Sequence, residues 1–118
     1  MQLADMALVD LLPPIVDITP EKLISLVAAE WKTTVEALIS KSRTKHIAEP
    51  RQVAMYLLRH ETNASLPQIG EALGGRDHTT VIYGIEKITG EILIKKDVEK
   101  RINRIKQVLH NPVSQAIA

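Results

Sequence analysis

Residues 65–81 read Ser65-Leu66-Pro67-Gln68-Ile69-Gly70-Glu71-Ala72-Leu73-Gly74-Gly75-Arg76-Asp77-His78-Thr79-Thr80-Val81. Two helix starts and one forced stop are written into this run. Ser65, followed three residues later by Gln68, has the form of a capping box, and Pro67 is tolerated in a first helical turn. Ile69, Ala72 and Leu73 then supply one apolar face. Gly74-Gly75 ends that helix, because glycine takes left-handed backbone conformations at little cost. Asp77 is a strong cap for a second helix, in which Val81, Ile85, Ile88 and Ile92 recur at i, i+4, i+7 and i+11 and so share one side. A short helix, a glycine turn and a longer helix with one apolar stripe make a helix-turn-helix.

The flanking chain continues in the same register. Thr19-Pro20 is a helix start with Thr19 as N-cap and Glu21 near the positive dipole end. The stripe Ile24, Val27, Ala28 and Trp31 carries that helix to about Trp31, and a short one follows from about Thr34 to Ile39. Ser40 to His46 has no apolar period and reads as a basic loop. From about Ala48 to Thr62, Val53, Ala54, Leu57 and Leu58 line one face of a longer helix that Asn63 can end. A last helix, about Lys96 to Leu109, sets Val98, Ile102, Ile105 and Leu109 on one side before Asn111-Pro112. Upstream, Leu3 to Leu12 is a short amphipathic stretch stopped by Pro13-Pro14. Alternation of the strand type is missing, so the expected fold is a small all-α helical bundle containing a helix-turn-helix. The expected division is a connector helix and linker at residues 1–18, the helix-turn-helix domain at 19–110 and a tail at 111–118.

The 118 residues, 45% hydrophobic and 25% charged, make one domain of ordinary globular composition. No apolar run approaches the roughly 20 residues of a membrane span. With no cysteine there is neither a disulfide framework nor a thiolate metal site, which fits a reducing, cytoplasmic setting. The net charge of +1 hides an asymmetry: residues 1–40 carry −4, residues 41–118 carry +5, and residues 41–60 alone carry +4. A basic segment on a near-neutral chain points to a local anionic partner.

In a helix-turn-helix the first turns of the second helix enter the major groove, here Asp77, His78, Thr79 and Thr80, while Val81 and Ile85 hold the helix to the core. The residue types suit base edges: Asp accepts from cytosine N4, Thr hydrogen-bonds or meets a thymine methyl, and His donates or accepts. On spacing alone a second reading stands beside this one, a structural bundle in which Asp77 only caps and the threonines face solvent.

Ser65 to Gly70 together with Gly74-Gly75-Arg76-Asp77-His78-Thr79-Thr80-Val81 closely resembles the signature of the C-terminal DNA-binding domain of the DnaA family, the bacterial chromosomal replication initiators. Ser40-Lys41, Arg43-Thr44-Lys45 and Pro50 to Leu57 resemble that family's basic loop and the helix after it. Leu3 to Leu8 resembles the connector to its ATPase module, and the likeness spans about residues 19–110. The resemblance implies binding of double-stranded, A/T-rich boxes at the replication origin, with Arg43 in the minor groove and Asp77, His78, Thr79 and, more weakly, Thr80 at base edges. It implies phosphate contacts from Arg51, Gln52 and Arg59, which fix register without reading sequence, and long-range attraction from Lys41 and Lys45. Leu66 and Pro67 lie where the family touches DNA beside the groove, although Leu66 equally suits a core staple. Arg76 is open between a phosphate contact and internal pairing. Tyr83 and Gly84 depart from the family's usual residues, so no contact beyond Val81 is carried over.

Family members are multidomain ATPases, but no GxxxxGK[ST] run occurs here and 118 residues leave no room for a nucleotide-binding fold. ATP therefore belongs to the full-length relatives, and the chain is expected to be an excised domain or a free-standing relative, monomeric in isolation. No serine nucleophile, paired carboxylate or metal spacing supports an enzyme. The competing class is a protein-interaction or membrane-surface module using Leu3, Met6, Ala7, Leu8 and Leu11. Asp5 and Asp10 in that segment oppose an anionic membrane, which makes acidic phospholipid a weak partner and the ATPase module the stronger one.

Overall fold

A computed structural model describes residues 18–110. The amphipathic stretch Leu3 to Leu12 and the Asn111-Pro112 stop lie outside the described residues. Six helices follow one another: α1 (Pro20–Glu30), α2 (Val35–Ile39), α3 (Lys45–Glu61), α4 (Leu66–Ala72), α5 (His78–Ile94) and α6 (Lys96–His110), with no strand among the described residues. The caps are those the residue types dictate. Thr19 Oγ1 accepts the Lys22 N–H at 3.2 Å and Thr34 Oγ1 that of Ala37 at 3.1 Å. Ser65 Oγ accepts from the Gln68 N–H at 3.2 Å, while Gln68 Oε1 accepts from the Ser65 N–H at 2.8 Å, so two orphan donors are satisfied reciprocally.

The core is built on α3. Val53, Ala54, Met55, Leu57 and Leu58 are all buried, a broader surface than a single stripe, because α1, α2, α4 and α5 all pack against this helix. Its most extensive partner is α5. There, the α5 stripe holds a residue with no side chain: a Cβ on Gly84 would lie 2.5 Å from Met55 Sδ and 3.2 Å from Gln52 Cγ. The bundle is closed by α6, whose Val98, Ile102, Ile105 and Leu109 are buried. Arg104 meets Glu30 at 2.7 Å and the Arg101 guanidinium lies 4.9 Å from the Trp31 ring centre, latching α6 to the end of α1.

Two expectations change. The long helix begins at Lys45, not near Ala48, so Lys45 and His46 belong to its first turn and not to the loop. The Thr44 carbonyl accepts from both the Ile47 and Ala48 N–H groups, and Ile47 is buried; Pro50 lies within the helix and removes one backbone rung. The α5 stripe is also shorter than its isoleucines suggest. Val81 and Ile88 are sealed while Ile85 and Ile92 are only half-buried, and the helix runs on to leave Leu93 and Ile94 exposed.

The turn between α4 and α5 positions the functional face. Gly74 and Gly75 take φ of +91° and +83°, and the Gly70 carbonyl accepts from the N–H groups of both Gly75 and Arg76, at 2.8 and 2.9 Å. The turn also leans on α2: a Cβ on Gly74 would lie 2.3 Å from the Ile39 carbonyl oxygen. The chain that leaves α2, residues 40–44, is thereby brought beside the start of α5.

Candidate nucleic-acid interface

Asp77 caps α5, with Oδ1 accepting the Thr80 N–H at 2.9 Å. That backbone bond, then the Thr80 hydroxyl, hold its carboxyl below the ordinary aspartate value, and His78 adds a smaller push in the same direction. With about 100° between successive helical residues, sealing Val81 turns Thr79 and Thr80 outward, while His78 lies nearer the Val81 side but is exposed as the first residue of the helix. The same ridge continues past the residues the sequence reading marked, because Ile82, Tyr83 and Glu86 stand one and two turns on from Thr79 and are exposed too. Counting i+3, i+4 and i+7 from Thr79 was the signal that would have found them.

A concave surface of about 430 Å³ opens between the first turn of α5 and the loop that leaves α2, lined by Lys41, Ser42, Arg43, Arg51, Gly74, Gly75, Arg76 and Thr80. Residues as far apart in sequence as Lys41 and Thr80 share this surface. Arg43 and Lys41 are exposed on the loop, and Lys45 is exposed in the first turn of α3. The loop has local order of its own: Ser40 Oγ donates to the Ala37 carbonyl at 2.7 Å and accepts from the Ser42 N–H at 3.2 Å.

Arg51 requires a correction. In place of an exposed phosphate contact it is 6% exposed, and its guanidinium donates to four carbonyl oxygens: Nε to Leu38 at 2.7 Å, Nη1 to Ser42 at 2.8 Å, and Nη2 to Ser40 at 3.0 Å and Ala37 at 3.4 Å. The cause is the end of α2, whose last carbonyls have no helical partner and present a fork of acceptors that a planar guanidinium matches. Burial, and the nearby Arg76 cation, pull the Arg51 pKa below the usual arginine value. Arg76 is paired internally, Nη1 donating to the Leu73 carbonyl and Nη2 to that of Ser40, and it also lines the concave surface.

The remaining candidates divide by burial. Gln52 is half-buried on α3, with its stem against the Gly84 backbone. Leu66 is half-buried and packs on the core, as a staple would. Pro67 and Arg59 are exposed; Arg59 Nη1 donates to the Ala64 carbonyl at 3.2 Å, which leaves it further donors. With Leu66, Ile82, Ile85, His60 and Glu86, Arg59 borders a hollow of about 260 Å³. Among the described residues no group of three or more His, Asp or Glu is placed to hold a metal ion, and no helix is long and apolar enough to cross a membrane.

Comparison with known proteins agrees with this geometry. The family described as bacterial dnaA protein helix-turn-helix matches residues 20–88. The chain is 45% identical to the chromosomal replication initiator protein DnaA of Roseiflexus castenholzii over 94 residues, which are 80% of this chain and 20% of the relative. It is 46% identical to that of Chloroflexus aggregans over 90 residues, 76% of this chain and 19% of the relative. Against that of Gloeobacter violaceus it is 45% identical over 89 residues, 75% and 20% of the two chains. The chain thus spans about a fifth of the length of the curated relatives it matches.

Proposed function

Since the chain belongs to the DnaA family, by way of that family's helix-turn-helix domain, we propose that it binds double-stranded DNA sequence-specifically, at A/T-rich boxes of a bacterial replication origin, in the service of initiation. One observation carries the reading: Thr80, in the exposed first turn of α5, and the loop arginine Arg43 border one concave, basic surface. The first turn of α5 lies in the major groove. Thr79 and Thr80 meet thymine methyls or hydrogen-bond base edges, His78 donates or accepts, and Asp77 accepts from cytosine N4 with the oxygen its cap leaves free. Arg43 enters the adjacent minor groove, where a narrow A/T-rich track concentrates negative potential. Arg59, Lys41 and Lys45 attract or hold phosphates, and Pro67 and the α4 amino end abut the backbone.

Residues 19–110 form the reading unit, residues 1–18 the connector to the ATPase module of the longer relatives, and residues 111–118 a tail. ATP chemistry resides in that module and not in this chain. Selection from random duplexes followed by footprinting tests the proposal. The selected box is expected to bind at least about 10³-fold more tightly than random duplex at physiological salt, with protection of one major-groove face and the neighbouring minor groove. Equal affinity for box and random duplex overturns it.

A further inference from the structure

We infer that Arg51 and Arg76 act together as positioning residues, meeting on the Ser40 carbonyl to hold Arg43 at a fixed offset from the first turn of α5. The inference rests on the DNA-binding reading above, and gives these two arginines a task other than touching DNA.

The two guanidiniums come from different parts of the fold, Arg51 from the second turn of α3 and Arg76 from the residue before the α5 cap. Both use Nη2 to donate to the same Ser40 carbonyl oxygen. Arg51 also holds the Ser42 carbonyl at 2.8 Å, so the chain is pinned three residues and one residue before Arg43. Arg76 further donates to the Leu73 carbonyl at the end of α4. Its bond to Ser40 is, among the described residues, the only hydrogen bond between the 40–44 loop and the turn that enters α5. The loop arginine and the reading helix are thus joined through one acceptor atom.

Bringing two cations to one oxygen is electrostatically unfavourable, and the Arg51 bond already satisfies the Ser40 carbonyl. Burial lowers the pKa of both groups, and for Arg51 the nearby Arg76 cation adds to it. What the arrangement supplies is alignment. Minor and major grooves lie at a fixed offset along a duplex, so a loop that is already in register binds without the entropy loss of being ordered on contact. Gly74, with no side chain, lets the turn sit directly on the Ile39 carbonyl and so beside the loop.

The decisive experiment is a double-mutant cycle on the whole chain, using Arg43→Ala, Arg76→Gln and Arg51→Gln, with Kd for the selected box and a random duplex measured across a salt series. If the clamp acts through Arg43, Arg76→Gln and Arg51→Gln each weaken box binding by about tenfold or more when Arg43 is present, and by less than about twofold when it is already alanine. Both are also expected to relax preference at the same A/T positions as Arg43→Ala. The salt slope should fall by clearly less than the unit expected for a lost phosphate contact. Additive losses, or a slope reduced by a full unit, overturn the clamp. Arg76→Gln, which removes only two carbonyl bonds, keeps the cycle decisive should Arg51→Gln unfold, as thermal melting will tell. A wild-type chain that fails to discriminate box from random duplex overturns the DNA reading itself and the clamp with it; intact discrimination with an additive cycle overturns the clamp alone.

Discussion

Replacing Gly74 and Gly75 separately by alanine tests whether the helix-turn-helix is wedged against α2. Both residues have positive φ, +91° and +83°, where an L side chain costs about 1–2 kcal/mol. Each substitution also restricts the unfolded chain, which returns about 0.4–1 kcal/mol. For Gly75→Ala the balance ends there, because nothing lies within 4 Å of the added Cβ, and a loss of about 1 kcal/mol is expected. For Gly74→Ala the Cβ would meet the Ile39 carbonyl oxygen at 2.3 Å and Arg76 Nη1 at 2.8 Å. The guanidinium can swing aside, but the carbonyl is backbone at the end of α2 and moves only if the helix end moves. Overpacking of this kind adds about 1–3 kcal/mol, for a total of about 2–4 kcal/mol. At roughly 4–8 °C per kcal/mol for a domain of this size, Gly75→Ala should melt about 4–8 °C below wild type and Gly74→Ala about 10–30 °C below it. Circular dichroism at 222 nm reads both, with urea midpoints at unchanged m to confirm that stability and not compactness has changed. Gly74→Ala should also weaken box binding, because the turn can relieve its clash only by moving away from the loop that carries Arg43. Two variants that melt within a few degrees of each other would refute the close approach and, with it, the packing that places the loop beside α5.

Gly84→Ala sets a helix-propensity gain of about 1 kcal/mol against an overpacking loss of about 1–3 kcal/mol, since Met55 Sδ and Gln52 Cγ would lie 2.5 and 3.2 Å from the new Cβ. A net fall in Tm is expected, and a rise would mean that α3 and α5 are not in such close contact. Asp77 is held below its ordinary pKa by the Thr80 N–H, so the carboxylate's contribution is complete above the unfolded value of about 3.9 and is lost as pH falls through the folded value. Asp77→Asn keeps a capping oxygen at every pH; wild type should therefore lose more Tm than this variant between pH 7 and pH 3, and parallel losses would sink the account. Arg59→Ala should weaken box and random duplex alike and reduce the salt slope by about one, whereas a selective loss at the box would make Arg59 a base reader.

The parts of this fold that local chemistry decides were legible in the sequence. The Ser65–Gln68 box, the caps at Thr19 and Asp77, and the glycine stop each depend on groups within a few residues. The α6 stripe of Val98, Ile102, Ile105 and Leu109 is buried as read. What escaped the reading depends on distant neighbours. Arg51 looks like any basic residue of a helix face until the carbonyls at the end of α2 are brought under it. Four backbone acceptors, 9 to 14 residues upstream, leave no trace in composition. Ile85 and Ile92 match the helical period but lie where α5 outruns its partners, so period alone overstated their burial. The first turn of α3 was hidden by its basic residues and by Pro50, with Ile47 the one apolar sign. The site followed the same divide: spacing turned Thr79 and Thr80 outward but left a plain bundle equally open, and the family resemblance supplied the DNA.

The buried side of α5 settles what its outer side can vary. Val81 and Gly84 fix the rotation of the helix against α3, so the exposed residues 79, 82, 83 and 86 can change with little effect on folding. Asp77 has no such freedom. Its Oδ1 is taken by the Thr80 N–H, and loss of a cap frays the turn that carries His78 and Thr79. Of side chains that cap through an oxygen acceptor, Asp, Asn, Ser and Thr do so well there. Of these the ionised aspartate keeps a second oxygen that can only accept, which on the DNA-binding reading excludes any base that presents an acceptor at that place. Asn would offer an amide donor and Ser or Thr a hydroxyl in the same position. On that reading cap and base choice are joined in one side chain, and a change of specificity at Asp77 must stay within the capping residues to keep the helix start.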